Sequence, residues 1–251
     1  MKENKIYNGD CIELMKKIKD KSIDMILCDL PYGTTRLKWD SIIPFDQLWE
    51  QYERIITDNG AIVLTASQPF TSALAMSNPK LFRYEWIWEK NNNTNFANAK
   101  KMPMKRHENI LVFYKHLPTY NPQGLIELNK PKTISRIRTT DSKRLIRNDN
   151  FGLDKKFTTT HTNYPDSILN FSQPSKNDRI HPTQKPLDLW EYLIKTYTND
   201  GDLILDNTSG SGVTAIAAMN TNRNFICMEL DKEIYENSIE YVKSKHNNWN
   251  N

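Results

Sequence analysis

The chain has 251 residues, 38% of them hydrophobic, and a formal net charge of +4. That length supports one sizeable core and at most a small second lobe, and the absence of any apolar run of about 18 residues excludes a membrane-spanning helix. Charge is unevenly spread: residues 80–180 hold 19 Lys and Arg against 9 Asp and Glu, a net of +10, while the remainder is net −6, which points to a polyanion-binding middle.

Taken in order, residues 5–7 read as a short strand ending at Asn8-Gly9-Asp10. Residues 11–18 have helical spacing, with Ile12, Met15 and Ile18 apolar and Asp10 placed as N-cap. Ile23 to Leu27 is an apolar run of buried-strand type, closed by Cys28-Asp29-Leu30-Pro31-Tyr32-Gly33. A polar segment containing Trp39 follows, then a helix over 45–57 stopped by Asp58-Asn59-Gly60, a strand over 61–65, and a helix from Pro69 to about Ser77. Strands over 84–88 and 110–114 flank an Asn- and Lys-rich loop. Residues 116–180 lose the rhythm and read as an inserted lobe or a long mobile region. Regular structure returns with a helix led by Pro186, a strand over 203–205, a helix over 213–220, a strand over 224–228 and a helix from Lys232 to about Lys245; residues 247–251 are expected to fray. Strands alternating with helices predict an α/β sheet, mostly parallel.

Cysteine usage fits this picture. Cys11, Cys28 and Cys227 lack the spacing of a disulfide framework or a zinc site and suit a reducing cytosol. Residues 1–10 are polar and show no secretion signal.

Three stretches carry chemistry. The first is Asp29-Leu30-Pro31-Tyr32, at the carboxyl end of a strand, where ligands of open α/β sheets bind. An acid, a proline and an aromatic there suit a flat heterocycle bearing an amino group. The second is Asp206-Asn207-Thr208-Ser209-Gly210-Ser211-Gly212, a Gly-rich strand-to-helix turn with free N–H groups behind it. Glu229, 23 residues after Asp206, closes the next strand and can accept both hydroxyls of a ribose. Residues 210–215 also fit the dinucleotide pattern G-x-G-x-x-A, which makes a NAD-dependent oxidoreductase a rival from another enzyme class; chain length argues against it, because only 39 residues follow Gly212 and such a fold builds most of its sheet after this turn. The third is His181-Pro182-Thr183-Gln184-Lys185-Pro186, whose prolines hold Lys185 at a fixed point ahead of a helix.

These stretches in this order resemble the β class of DNA amino-methyltransferases, a permuted family with a D-P-P-Y-type loop first, a target-recognition region, an H-P-T-Q-K-P element, and a D-P-F-x-G-S-G-type turn for S-adenosylmethionine. Asn91 to Lys115, with Asn98-Ala99-Lys100-Lys101 and His107-Glu108, is also similar to that family, and Ser67-Gln68-Pro69-Phe70 resembles its phage-type members. Two positions depart from the pattern: Leu30 replaces a proline, and Asn207-Thr208 replace Pro-Phe.

The resemblance implies a Rossmann-like methyltransferase sheet with helices on both faces, permuted, with a catalytic half at 1–115, a target-recognition region at 116–180 and a cofactor half at 181–251. It implies methyl transfer from S-adenosylmethionine to the N6 amine of adenine in double-stranded DNA, after base flipping, with N4 of cytosine as the rival on the same scaffold and a non-catalytic DNA-binding module as the rival outside catalysis. Members acting on cytosine usually begin the loop with Ser, so Asp29 leans to adenine. Asp29 and the Leu30 carbonyl become the amine's acceptors, Tyr32 stacks on the base and Pro31 stiffens the loop. The implied cofactor set is Asp10, Cys11, Asp29, Thr183, Lys185, Asp206, Ser209, Gly210, Ser211, Gly212, Glu229 and Leu230, with Asp10 on the adenine amine, Glu229 on the ribose, and Lys185, Ser209 and Ser211 at the methionine end. Trp39, Lys100, Lys101, Lys105, Arg106, Arg136, Arg138, Lys143, Arg144 and Arg147 are the expected DNA contacts. No metal is implied. The setting would be the cytoplasm of a bacterial or phage-infected cell, and the protein a monomer or homodimer, in a restriction–modification or phage context.

Overall fold

In a computed structural model the described residues are 1–34, 40–135, 156–175, 179–181 and 183–251. They form two compact units, residues 1–121 with 167–251, and residues 122–166.

The first unit is built on an eight-stranded sheet. Its strands are β1 (Lys5–Asn8), β2 (Ile23–Asp29), β3 (Ile56–Ala66), β4 (Phe82–Thr94), β5 (Lys105–Phe113), β8 (Ile168–Asn170), β9 (Leu203–Asp206) and β10 (Asn224–Glu229). The spatial order is β1-β10-β9-β2-β3-β5-β4-β8. Only β5 runs antiparallel to its neighbours; every other pairing is parallel. The last two strands, β9 and β10, are thus inserted between the first two. This arrangement brings the carboxyl ends of β1, β2, β9 and β10 to one edge, and with them Asp10, Asp29, Asp206 and Glu229.

Helices α1 (Cys11–Met15), α2 (Phe45–Ile55) and α3 (Phe70–Ser77) cover one face, and α4 (Leu187–Tyr197), α5 (Val213–Asn220) and α6 (Lys232–Lys245) the other. Strand alternation explains the split. Met25 and Leu27 of β2 pack with Trp190 and Ile216, whereas Ile26 and Cys28 pack with Leu48 and Tyr52. A strand buried on both faces reads as a continuous apolar run, as β2 does.

Several boundaries differ from the sequence reading. Helix α1 stops at Met15, three residues early, and Asp10 caps it by accepting from the Glu13 N–H at 3.0 Å. Helix α2 gives way directly to β3 at Ile56, so Asp58-Asn59-Gly60 lie inside the strand rather than after the helix. There the register slips: Ile23 faces Ile56 while Met25 already faces Ala61. Gly60 permits the close approach, because a Cβ on it would lie 2.9 Å from the Asp24 carbonyl oxygen. Residues 247–251 do not fray. Trp249 is buried against Phe225 and donates its indole N–H to Asn4 O at 2.9 Å. The Asn251 side chain pairs with both Ile6 N and Ile6 O, at 2.6 and 2.9 Å, and so completes the open edge of β1 as a further strand would.

Residues 116–180, read from the sequence as an inserted lobe or a long mobile region, hold three strands among the described residues. Strand β8 joins the main sheet beside β4. In the second unit β6 (Ile126–Ser135) and β7 (Lys156–Thr162) form a two-stranded antiparallel ribbon, with Thr133 and Thr158 hydroxyls 3.0 Å apart across it. The ribbon is rich in Thr and Lys, and its few apolar residues do not sustain an alternating run.

Candidate active site

Asp29 is the last residue of β2, where the chain leaves the sheet. Its Oδ1 accepts hydrogen bonds from the Tyr32 hydroxyl at 2.7 Å and from the Thr65 hydroxyl on β3, and its Oδ2 lies 2.6 Å from Lys185 Nζ. Leu30 is buried, which anchors the loop, and the Tyr32 ring stacks on Phe70, 5.2 Å between centroids at 27°. Lys185 Nζ sits 5.9 Å from the Tyr32 ring centroid. The acid is held on three sides by groups that donate to it, a preorganised arrangement rather than a flexible surface carboxylate.

Lys185 is 6% exposed and also lies 3.2 Å from Glu108 Oε2 on β5. Glu108 Oε1 in turn lies 2.5 Å from Lys90 Nζ on β4, and Lys90 sits over the Trp88 ring at 4.8 Å. The result is a row of alternating sign, Asp29, Lys185, Glu108, Lys90, with both lysines buried and both acids partly so. Burial works against the charge on Glu108, but the two ammonium groups outweigh it and hold the carboxyl at about 2. Burial likewise works against the Lys185 charge, and Asp29 and Glu108 outweigh it, leaving the ammonium more basic than usual. The resemblance gave Lys185 to the methionine end of the cofactor; here its ammonium lies on two carboxylates of the same cavity.

The glycine turn faces this row from the neighbouring strand β9. Gly210 and Gly212 have φ of +50° and +77°, and a Cβ on Gly212 would come 2.9 Å from Val242 Cγ2. Glu229 is buried at the end of β10. Its two oxygens accept from the Gly210 and Asp231 N–H groups, each at 2.9 Å, and burial raises its pKa. Asp206 accepts from Thr208 N at 3.1 Å and from the Thr214 hydroxyl, and burial pushes its carboxyl up to about 7. The two departures from the family pattern have defined contacts. Asn207 Oδ1 accepts from the Tyr52 hydroxyl at 2.5 Å and the Cys28 thiol at 2.8 Å. The Thr208 hydroxyl donates to the Asp29 carbonyl at 3.1 Å, joining the glycine turn directly to the reaction loop.

One cavity of about 760 Å³ spans both loops. Its wall takes in Asp10, Cys11, Asp29, Leu30, Pro31 and Tyr32 from the first half of the chain, and Thr183, Lys185, Asp206, Ser209, Gly210, Ser211, Glu229 and Leu230 from the second. Gly212 stands just behind the wall. Among the described residues the Ser209 hydroxyl and the Asn207 amide nitrogen are buried without a hydrogen-bond partner, which fits a pocket lined for a polar ligand. Thr183 instead pairs with His181 Nδ1 at 3.0 Å, and Leu230 leaves 61% of its surface open.

Of the expected DNA contacts, Lys100 and Lys101 are exposed beyond the end of β4. Lys105 donates to the Ser67 hydroxyl, and burial lowers its pKa. Arg106 Nε is 3.2 Å from Glu89. Trp39, Arg136, Arg138, Lys143, Arg144 and Arg147 lie outside the described residues. Sequence reasoning gave no role to Lys90, Thr65 or Thr208, and noted Glu108 only as a family likeness. A signal was present for two of them. Trp86 and Trp88 point inward on β4 and Lys90 continues that row; Ile110 and Val112 point inward on β5 and Glu108 begins theirs. Two opposite charges at the end of facing inward rows mark a buried pair.

The match to known proteins extends over this whole arrangement. The family model described as DNA methylase matches residues 23–240. The chain is 27% identical to the type II methyltransferase M1.MboII of Moraxella bovis, over 95% of this chain and 96% of that protein. It is 26% identical to the DNA adenine methyltransferase YhdJ of Escherichia coli strain K12, over 91% and 79%. Among solved structures, the M1.HpyAVI–SAM complex superposes with a TM-score of 0.65 at 24% identity, over 95% of this chain and 98% of that one. The match includes the Asp29 loop, Lys185, the glycine turn and Glu229, so a cavity assembled from the first and last parts of the chain and a family model that spans both lead to one conclusion: the chain belongs to the DNA methylase family.

Proposed function

We propose that this methylase transfers the methyl group of S-adenosylmethionine to the N6 amine of adenine in duplex DNA. The observation that carries the reading is the shared cavity: the Asp29 carboxylate and the glycine turn line the same space, with Thr208 bridging them. The orphaned Ser209 hydroxyl, the open turn at Gly210, and a buried acid at the end of β10 suit a nucleoside bearing an amino-acid tail. Glu229 would hold the ribose, Asp10 and Leu230 the adenine, and Ser209, Ser211 and Lys185 the tail.

The amine's lone pair is delocalised into the purine ring, so the nitrogen is a weak nucleophile. The cofactor supplies an electrophilic methyl on sulfur. Asp29 and the Leu30 carbonyl would accept the two N–H bonds, pull the nitrogen towards a tetrahedral shape and free the lone pair for in-line attack. As the carbon–nitrogen bond forms and the carbon–sulfur bond breaks, the nitrogen would give up one proton, and the Asp29 carboxylate would accept it. Tyr32 would stack on the flipped base, offsetting part of the few kcal/mol of unstacking. No metal enters the scheme.

The working partner is double-stranded DNA, met in the cytoplasm of a bacterial or phage-infected cell by a monomer or homodimer. No helix among the described residues is long and apolar enough to cross a membrane. Residues 116–180, including the β6–β7 ribbon, would supply target recognition. The test is expression in a host free of DNA methylation, followed by long-read mapping of modified bases. N6-methyladenine at one recurring sequence is expected. N4-methylcytosine would move the assignment to the rival base, and an unmodified genome from a folded, cofactor-binding protein would overturn it.

A further inference from the structure

We propose that the arm joining β4 to β5 is a DNA wedge, in which Phe96 enters the base stack while Lys100 and Lys101 hold the flanking phosphates. The inference rests on the adenine reading above and adds how the target base is made to leave the duplex.

The arm is rooted in the active site. Lys90 and Glu108, where it leaves and returns, both line the cavity. Strand β4 is antiparallel to β5, which is antiparallel to β3, which is parallel to β2. So β4 ends at the same edge of the sheet as Asp29. It runs on to Thr94, four residues past Lys90, about 13 Å at the ordinary rise of a strand. Asn95, at a φ of +69°, then turns the chain into the short 3-10 helix Phe96–Asn98.

Phe96 is 80% exposed, the most open large hydrophobic side chain among the described residues, and Met102 and Met104 on the same arm are 53% and 38% exposed. A phenyl left in water forgoes the free energy of burial, so a ring displayed at the end of a long strand suggests a partner that covers it. The charges around it say which partner. Residues 90–107 contain five Lys and Arg and no Asp or Glu. Lys90, Lys105 and Arg106 are engaged with Glu108, Ser67 and Glu89, which leaves Lys100 and Lys101 as the exposed pair beside the ring. An exposed apolar ring followed closely by two exposed lysines, on a stretch without acids, fits duplex DNA, whose phosphates meet the lysines and whose base steps accept apolar wedges. A base drawn into the cavity leaves a gap in the stack, and a flat ring can fill it.

The test uses the 251-residue chain and a synthetic duplex carrying the mapped site, prepared with the target adenine either paired or opposite an abasic position. Phe96→Ala should slow single-turnover methylation of the paired duplex about tenfold or more. On the abasic duplex, where less pairing must be broken, it should run within about twofold of wild type. Phe96→Trp should keep activity on both. Equal rates for Phe96→Ala and wild type on the paired duplex would overturn the wedge, and loss of a dimer in that variant would reassign the ring to self-association. An equal deficit on both duplexes would also overturn it, because a merely structural defect is not rescued by the abasic site. A wild-type protein that methylates neither duplex would instead overturn the adenine reading, and the wedge with it.

Discussion

Two acids with raised pKa values, Asp206 and Glu229, stand at the ends of adjacent strands, and they do different work. Glu229 lines the cavity and keeps lone pairs beyond those used by Gly210 and Asp231. Glu229→Ala should raise the cofactor's dissociation constant about tenfold or more, the worth of a hydrogen bond to a charged group; calorimetric titration beside a melting curve would separate lost contact from lost folding, and an unchanged constant would remove the ribose role. Asp206 serves the turn itself through Thr208 and Thr214. Its folded carboxyl sits at about 7, against an ordinary 3.8. The folded state therefore binds the extra proton between those values, so this group adds stability as the pH falls from about 7 towards 4 and removes it as the pH rises. Thermal unfolding of Asp206→Asn should lack that slope. A slope equal to wild type would show that another group titrates.

At the scale of elements, the site depends on parallel strands ending together, and that in turn depends on register. The slip between β2 and β3 at Gly60 is what lets Asp24 and Gly60 approach so closely while Asp29 still faces Thr65. Gly60→Ala would drive a Cβ against the Asp24 carbonyl, a backbone atom that cannot rotate away. It should cost about 1–3 kcal/mol, read in a urea melt; a loss within about 0.5 kcal/mol would mean the strands shift freely. The same register explains what was legible beforehand. Strands β2, β9 and β10 and helices α4 to α6 announced themselves because apolar periodicity and turn residues agreed. Strands β6 and β7 did not, because Lys and Thr interrupt their few apolar residues. Asp58-Asn59-Gly60 reads as a turn in any sequence, and only the partner strand shows it to be a slip. The packed C-terminus was invisible because Asn251 works through its side-chain amide, a contact that no periodicity encodes.

For the whole molecule, the consequence of the strand order is that one cavity is made from opposite ends of the chain. Asp29 arrives from the second strand, and Asp206 and Glu229 from the last two. Turn chemistry alone picked out Asp29, the glycine turn and Glu229, because acids and glycines at strand ends have few other uses. Lys90 and Glu108 escaped, since a charge beside a tryptophan reads as a strand's solvent-facing row until its neighbour across the sheet is known. Their burial gives Asp29 a fixed cation at Lys185, backed by a second carboxylate, so the acid is held in place before any base arrives. That is electrostatic preorganisation at molecular scale. The direct measurement is single-turnover methylation by Asp29→Ala, alongside calorimetric binding of S-adenosylmethionine to the same variant. Transfer should fall by about 1,000-fold or more while the dissociation constant stays within about threefold of wild type. Methylation at the wild-type rate would contradict the central role given to this carboxylate.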